Sequence, residues 1–197
     1  MGTSLIQLAK RVKNVRVIAS ASTDAKLEFC KTLGADLTVN YKTENILDKV
    51  KNFVPNGVDL ILDPVGGSMS EVNADLLARD GEWILYGLLG GGQVNFNLFN
   101  KLLTKRFLGI TTTDLIMIIF SASIKATTLS TRTEEYKSTL IESFFASTKT
   151  AFETKQLKPI IDKSFSFDDI VNAHLYMESN QTIGKVLLTL SDKKDEL

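Results

Sequence analysis

The sequence has few of the residues that build disulfides and metal sites. One cysteine, Cys30, and one histidine, His174, occur in 197 residues. A disulfide framework needs cysteines in pairs, so a single cysteine excludes one and is typical of a reducing compartment. The nitrogen and sulfur ligands of a closed zinc site cannot come from one cysteine and one histidine. We therefore predict no metal site, and we interpret His174 as a packed or surface residue and Cys30 as a core residue.

Neither one sign of charge nor a long apolar run dominates the chain. Lysine and arginine together number 23, as do aspartate and glutamate, so no basic stripe is available to bind nucleic acid. No segment reaches the roughly 20 apolar residues that a membrane span requires. The first apolar turn is interrupted by Gln7, Lys10 and Arg11, unlike a secretory signal. These features predict a cytoplasmic protein that binds neither nucleic acid nor a membrane.

The closing residues leave one alternative for location. Residues 191–197 form a charged tail whose last four residues, Lys194–Leu197, spell the signal for retention in the endoplasmic reticulum. That signal acts only on a chain that has already entered the lumen. A solvated tail on a cytoplasmic protein is the main interpretation, and residence in the lumen is the alternative.

Helical and strand periodicities alternate along the chain. Strands are predicted at Val15–Ser20, Val58–Asp63, Glu82–Gly87, Phe107–Thr113, Ile160–Phe165 and Gly184–Leu190, and a further short element at Leu37–Val39. One helix is predicted before the first strand, at Thr3–Val12, and a second one from a cap at Thr23 to a stop at Gly34. Further helices are predicted at Glu44–Phe53, Ser70–Ala78, Glu134–Thr154 and Phe167–Ser179. This order predicts an α/β fold, a Rossmann-like doubly wound parallel sheet extending over residues 1–190.

The predicted sheet lacks its first strand. In a dinucleotide-binding unit, a strand leads into a glycine-rich turn whose last glycine begins the first helix. Gly2 can be that last glycine, but no strand precedes it. The first strand is central in such a sheet, so its absence exposes inner strand edges. We therefore expect the natural protein to be longer or the chain to be a truncated product.

Residues after the Val15–Ser20 strand indicate which nicotinamide cofactor would bind. A site for NAD usually has an acidic residue there to accept a hydrogen bond from the ribose 2′-hydroxyl. This chain instead has Ser22, Thr23 and Lys26, with no acid before Asp24. Hydroxyl donors and a cation suit the 2′-phosphate of NADPH. The alternative is that Thr23 only caps a helix and Lys26 is only solvated.

Two glycine-rich segments follow the next two predicted strands. The first contains Asp63, Val65 and Gly66, and the second contains Gly87 and Leu88. Ligands of open α/β sheets bind at the carboxyl ends of strands, and glycine there permits close approach of a flat ring. Two ordinary flexible turns are the alternative.

Several segments together resemble one family. The chain is similar to the zinc-free quinone oxidoreductases of the medium-chain dehydrogenase/reductase superfamily, nearest the p53-inducible type, in the segments IQLAK, KLEFCKTLGAD, NYKTE, DLILDPVGG, YGLLGGG, TRTEEYK and AHLYMESNQTIGKVLL. The resemblance implies an NADPH-dependent reductase that forms a homodimer and has an N-terminal domain not found here. It adds Tyr41 near the 2′-phosphate, and Asn180 and Lys185 in a stretch that closes over the nicotinamide side.

The resemblance leaves the chemistry of this chain open. We identify no catalytic acid, because in the family the missing domain supplies much of the substrate cleft. The leading hypothesis is the cofactor-binding part of an enzyme that transfers hydride from NADPH to a quinone or similar electrophile. The alternatives are an enoyl-thioester reductase and a catalytically silent NADPH-binding fragment.

One segment departs from the family pattern. Residues 114–127 form an apolar insertion in which Leu115–Phe120 are six consecutive apolar residues. An exposed run of this kind is an interaction edge or an aggregation hazard, and it lies where the resemblance implies dimerisation. An error in the gene model, such as a translated intron, is the alternative explanation.

Overall fold

The computed structural model describes residues 1–93 and 122–190. Its helices are α1 (Gly2–Gln7, continued by a wider turn over Leu8–Val12), α2 (Asp24–Thr32), α3 (Ile46–Phe53), α4 (Ser70–Leu76), α5 (Glu134–Glu153) and α6 (Ile170–Glu178). Its strands are β1 (Ile18–Ala21), β2 (Leu37–Asn40), β3 (Val58–Asp63), β4 (Leu77–Leu85), β5 (Ser123–Ala126), β6 (Ile161–Ser166) and β7 (Lys185–Thr189). Short 3₁₀ turns at Gly67–Met69 and Phe167–Asp169 lead into α4 and α6.

The chain divides into two compact units. The first contains Met1–Lys42 and Leu140–Leu197, and the second contains Thr43–Thr139. Strands β1, β2, β6 and β7 belong to the first unit, whereas β3, β4 and β5 belong to the second. Each unit is described below by itself.

In the first unit, two pairs of parallel strands are each connected through a helix. Strand β1 pairs with β2, from Ile18 opposite Leu37 to Ala21 opposite Asn40. Helix α2 connects these strands and packs on both. Strand β6 pairs with β7, and helix α6 makes the same kind of connection. Parallel pairing requires such crossovers, because a tight hairpin can only join antiparallel strands.

A buried glutamine joins α1 to the segment before β6. Gln7 is 2% exposed, and its amide nitrogen donates to the backbone oxygens of Lys158 at 3.1 Å and Thr3 at 3.1 Å. The backbone nitrogen of Lys158 donates to the Gln7 amide oxygen at 3.2 Å. The side chain therefore satisfies both backbone groups of Lys158, as a neighbouring strand would.

The second unit contains a three-stranded parallel sheet in the order β3-β4-β5. Its buried cluster consists of Ala74, Leu77 and Trp83, with Ile61 and Ala122 packed against it. Helices α3 and α4 pack on one another. The carboxyl ends of β3 and β4 are neighbours, because Asp63 pairs with Leu85.

The α/β fold with parallel pairing is confirmed. Strand Val58–Asp63 has the predicted bounds. Helix α2 begins after the cap at Thr23 and ends before Gly34, as expected. Asp80-Gly81, a pair of residues typical of a turn, lies at a bulge inside β4: pairing passes from Val58–Leu77 to Leu60–Glu82, and Asp80 has φ of 59°. Helix α4 is accordingly shorter than predicted, because Leu77 already pairs with β3.

Strand β5 was not predicted. It occupies Ser123–Ala126, in a segment assigned to the atypical insertion. The predicted strand Phe107–Thr113, the apolar run Leu115–Phe120 and the tail 191–197 lie outside the described residues.

Candidate cofactor-binding site

The residues predicted to select the cofactor gather at the carboxyl ends of β1 and β2. Ser22 follows β1, and Tyr41 follows β2 with its backbone nitrogen donating to the Ala21 oxygen at 3.2 Å. Thr23 and Lys26 lie at the start of α2 in the same unit. Parallel pairing of Ala21 with Asn40 places these strand ends side by side. Ser22, Thr23, Lys26 and Tyr41 therefore lie together in the first unit, and their contact with a cofactor stays a prediction.

Thr23 and Lys26 both have partners there. The Thr23 hydroxyl oxygen accepts a hydrogen bond from the Lys26 backbone nitrogen at 3.4 Å, so Thr23 does cap α2. The Thr23 O–H remains chemically able to donate. The Lys26 ammonium donates to the backbone oxygen of Asn180 at 2.5 Å and to its side-chain oxygen at 3.2 Å. Both acceptors are neutral, so the positive charge of Lys26 is not cancelled by Asn180.

Sequence reasoning missed the partner of the nearest acid. Asn40 is buried at the end of β2, and its side-chain nitrogen donates to the Asp24 carboxylate at 2.9 Å. The Asn40 oxygen accepts from the Lys42 backbone nitrogen at 3.1 Å. An asparagine in a turn often bonds to the backbone two residues later, and this is the signal that could have identified Asn40.

In the second unit, Asp63 is the centre of a buried polar cluster. Its side chain is 3% exposed at the end of β3. One carboxylate oxygen accepts from the backbone nitrogens of Val65 at 2.7 Å and Gly66 at 3.1 Å. The other accepts from the Asn73 amide at 2.9 Å and the Trp83 indole nitrogen at 3.1 Å. Asp63 was predicted to contact the cofactor, but its side chain points into the protein and not towards solvent.

The two glycine segments form one structure, which we call the double loop, consisting of Pro64–Gly67 and Gly87–Gly91. Backbone hydrogen bonds join them. The nitrogens of Leu89 and Gly90 donate to the oxygens of Pro64 at 3.1 Å and Val65 at 2.7 Å, respectively, and the Gly67 nitrogen donates to the Gly91 oxygen at 2.7 Å. The Tyr86 nitrogen also donates to the Asp63 backbone oxygen at 2.9 Å. Two independent flexible turns would not be joined in this way.

The glycines are required by this packing of loop on loop. A Cβ atom at Gly87 would lie 2.6 Å from the Pro64 oxygen, and one at Gly67 would lie 2.7 Å from the Gln93 oxygen. Around Gly91 no atom comes within 4 Å of such a position. Backbone contact between the loops is therefore one reason for glycine at position 87, and the close approach of a ligand stays a prediction.

An open depression borders the double loop. Its volume is about 460 Å³, and its lining comes from Gly67, Ser68, Glu71 and residues 90–93. Leu88 is 57% exposed, and its side chain lies over Gly66. Burial, and secondarily the charge of Asp63, raise the pKa of the Tyr86 hydroxyl at the base of the second loop. The second unit thus presents glycine backbone and the exposed side chains of Leu88 and Leu89 at this double loop.

The remaining candidates are Gly2 and Lys185, both in the first unit. Gly2 begins α1 in open space, so no packing contact explains a glycine there. Lys185 begins β7 and is exposed. Burial is the main cause that lowers the pKa of the N-terminal amine of Met1, and the nearby positive charge of Lys185 is the second cause.

The residues set aside by sequence reasoning show no catalytic grouping. His174 is exposed on α6, and Cys30 is half-buried on α2, where burial raises the pKa of its thiol. Across residues 1–93 and 122–190, no three histidine, cysteine, aspartate or glutamate side chains are grouped to hold a metal ion. No helix within those ranges is long and apolar enough to cross a membrane.

Comparison with known proteins identifies the family. The zinc-binding dehydrogenase family matches residues 1–137. The human synaptic vesicle membrane protein VAT-1 homolog is 28% identical over 198 residues, which are 99% of this chain and 49% of that protein. Mouse prostaglandin reductase-3 is 38% identical over 92 residues, 47% of this chain and 24% of that protein. The chain spans about half the length of the VAT-1 homologs that it matches throughout.

Solved structures give the same architecture. Escherichia coli quinone oxidoreductase complexed with NADPH matches with a TM-score of 0.74 at 22% identity, covering 95% of this chain and 53% of that chain. The fold is thus of the Rossmann-like α/β class. The chain belongs to the zinc-binding dehydrogenase family.

Proposed function

We propose that the chain is the cofactor-binding part of an NADPH-dependent oxidoreductase. The observation that carries this proposal is the group of Ser22, Thr23 and Lys26 at the end of β1, where the nearest carboxylate, Asp24, accepts a hydrogen bond from Asn40. A cation with hydroxyl donors favours a phosphate over a ribose hydroxyl, which would need an acidic acceptor. Tyr41 lies at the neighbouring strand end and can contribute its hydroxyl or ring.

Asn180 fits the phosphate end of the cofactor better than the nicotinamide side that the resemblance implies. It contacts Lys26 through two hydrogen bonds within the first unit. Ser22, Thr23, Lys26 and Asn180 would then hold the adenosine 2′-phosphate. Gly2 and Lys185 stay predictions without a contact of this kind.

The double loop of the second unit suits a nicotinamide ring and its ribose. It lies at the carboxyl ends of β3 and β4, presents backbone from Val65, Gly66 and Gly87, and adds the exposed side chain of Leu88. Such a surface can lie against the flat ring and ribose of a nicotinamide without a bulky polar group between them. Asp63 would act only through the loop that it holds.

The reaction we propose is hydride transfer to a quinone or similar electrophile. When bound, a reduced nicotinamide supplies a hydride, and a quinone that accepts it takes one further proton from solvent to become the hydroquinone. The residues of this chain would bind the cofactor and orient its ring at the double loop. No residue of the described ranges is assigned the proton transfer.

A second candidate is reduction of an activated double bond. The 38% identity to prostaglandin reductase-3 over 92 residues favours it, and an enoyl-thioester reductase would use the same hydride donor. A catalytically silent NADPH-binding fragment is the third possibility. Oxidation of NADPH with a quinone, with an unsaturated carbonyl compound, or with neither distinguishes the three.

The test of the cofactor proposal is a pair of titrations on the chain. Adenosine 2′,5′-bisphosphate carries the phosphate that Lys26 would bind, and adenosine 5′-monophosphate lacks it. We expect calorimetry to show the bisphosphate binding at least about tenfold more tightly, since a charge-assisted hydrogen bond contributes about 1.5–3 kcal/mol. Equal affinities for the two nucleotides would contradict the proposal.

We also propose a cytoplasmic homodimer, as the family resemblance and the single cysteine suggest. Light scattering of the purified protein measures its mass in solution. Fractionation of cells that express the chain with a free C-terminus separates a cytoplasmic location from the lumen of the endoplasmic reticulum.

A further inference from the structure

Asp63 is a buried carboxylate whose hydrogen bonds, within the described part of the chain, all come from neutral donors. Each oxygen accepts two hydrogen bonds, at 2.7 and 3.1 Å on one and at 2.9 and 3.1 Å on the other. Four well-placed donors can compensate the cost of burying the charge. They also occupy the acceptor positions that a ribose hydroxyl would need.

The four donors come from three different elements. Val65 and Gly66 belong to the first half of the double loop, Asn73 to α4 and Trp83 to β4. The carboxylate thus ties the loop backbone to a helix and to the neighbouring strand. The hydrogen bonds from Leu89 and Gly90 then attach the second half of the double loop to the first.

We propose that Asp63, together with Asn73 and Trp83, is a positioning group that holds the double loop in the conformation that receives the nicotinamide half of NADPH. This inference rests on the proposed function and revises the role of Asp63 from a cofactor ligand to a support. Trp83 is the only tryptophan of the chain and is 3% exposed. Its emission therefore reports on the environment of this carboxylate.

The test begins with Asp63→Asn, which keeps the shape of the side chain. The amide oxygen can still accept from the loop, but the amide nitrogen then faces the Asn73 amide nitrogen and the Trp83 indole N–H, and all three groups are donors. We expect faster hydrogen exchange at Gly66 and Gly90, red-shifted Trp83 emission, and NADPH binding weakened about tenfold. Binding of adenosine 2′,5′-bisphosphate should stay unchanged, because its proposed site is in the first unit.

Two further variants guard against a folding defect. Trp83→Phe added to Asp63→Asn removes one of the two opposed donors and should restore part of the NADPH affinity. Asn73→Ala removes a single neutral donor and should weaken NADPH binding severalfold in a folded protein. Asp59→Asn is the matched control: it makes the same change at an exposed position of β3 and should alter neither exchange nor affinity.

The outcomes separate this inference from the proposed function. If the unmodified chain does not bind NADPH, the proposed function fails, and the role of Asp63 towards the cofactor fails with it. If the chain binds NADPH but Asp63→Asn changes neither loop exchange nor NADPH affinity, only the positioning role is overturned. Equal weakening of NADPH and adenosine 2′,5′-bisphosphate would also overturn it, because it indicates a general loss of structure.

Discussion

Lys26 donates two hydrogen bonds to Asn180, although 154 residues separate them in sequence. Asn180 follows α6 with φ of 56°, a left-handed conformation that asparagine tolerates better than most residues. The turn after α6 thereby brings the backbone and side-chain oxygens of Asn180 to Lys26 at the start of α2. The ammonium is fixed in place by neutral acceptors, so it can still attract an anion.

This arrangement predicts that Lys26 determines the preference for a phosphorylated cofactor. Lys26→Gln removes the charge while keeping an amide that can donate to Asn180. We expect its affinity for NADPH to fall at least about tenfold and its affinity for NADH to change little, because the lost hydrogen bond to phosphate is charge-assisted. Titration with both cofactors measures the change.

Lys31→Gln is the control for that change, since Lys31 is exposed near the end of the same helix and pairs with Glu28 at 2.5 Å. It should leave the preference intact. A Lys26→Gln protein that still prefers NADPH to the same extent would show that the selectivity arises elsewhere.

A second prediction concerns the packing of the double loop. Gly87→Ala places a Cβ atom 2.6 Å from the Pro64 oxygen, and a backbone atom cannot rotate away as a side chain would. We expect the free energy of unfolding to fall by about 1–3 kcal/mol, the usual cost of overpacking. Urea unfolding followed through Trp83 emission measures it.

Gly92→Ala provides the comparison for Gly87→Ala. The nearest contact of the added Cβ atom there is the Leu88 side chain at 3.8 Å, an ordinary packing distance. Its free energy of unfolding should stay within about 0.5 kcal/mol of the unmodified protein. Equal stability of the two variants would contradict the tight joining of the loops.

The sequence predicted the fold better than it predicted the roles of individual residues. Strand β3 was predicted with the correct bounds, because its apolar run is flanked by the turn at Gly57 and the break at Pro64. Strand β4 was predicted only from Glu82 onwards, with its first residues assigned to the preceding helix or left between the two elements. An aspartate followed by a glycine adopts a left-handed backbone in a turn and in a bulge alike. Only the pairing of the flanking residues with β3 distinguishes a bulge from a turn here.

The candidate site was predicted by position and not by contact. Strand order placed Lys26 and Asp63 at the carboxyl ends of strands, where ligands bind. No periodicity predicts that Asn180 contacts Lys26, or that Trp83 and Asn73 donate to Asp63, because these partners are 154, 20 and 10 residues away. A buried tryptophan usually needs an acceptor for its N–H, and this is the one signal that could have pointed to Asp63.

A third prediction addresses Gln7, which is buried and bonded to both backbone groups of Lys158. Gln7→Glu keeps the size but turns the carboxylate towards the carbonyl oxygens of Lys158 and Thr3. We expect a loss of more than about 2 kcal/mol in the free energy of unfolding, because two acceptors then face a buried charge. Gln156→Glu, at an exposed position, should have little effect on urea unfolding, and similar losses in both variants would refute this role.

The last prediction is a dependence of stability on pH that originates at Asp36. The Lys10 ammonium, which donates at 2.6 Å, and then the Val17 backbone N–H at 2.7 Å hold the pKa of this carboxyl below its usual value. The folded chain therefore binds this proton less readily than the unfolded chain, so the contribution is fully present above the usual pKa of an aspartate. It is lost as pH falls through the lowered pKa. Asp36→Asn should accordingly be less stable than the unmodified protein at neutral pH, and the gap should narrow on acidification. Lys10→Met should also be less stable than the unmodified protein at neutral pH, with a difference that narrows on acidification. Urea unfolding at neutral and acidic pH measures both differences. A difference that stays constant with pH would exclude this ion pair as its origin.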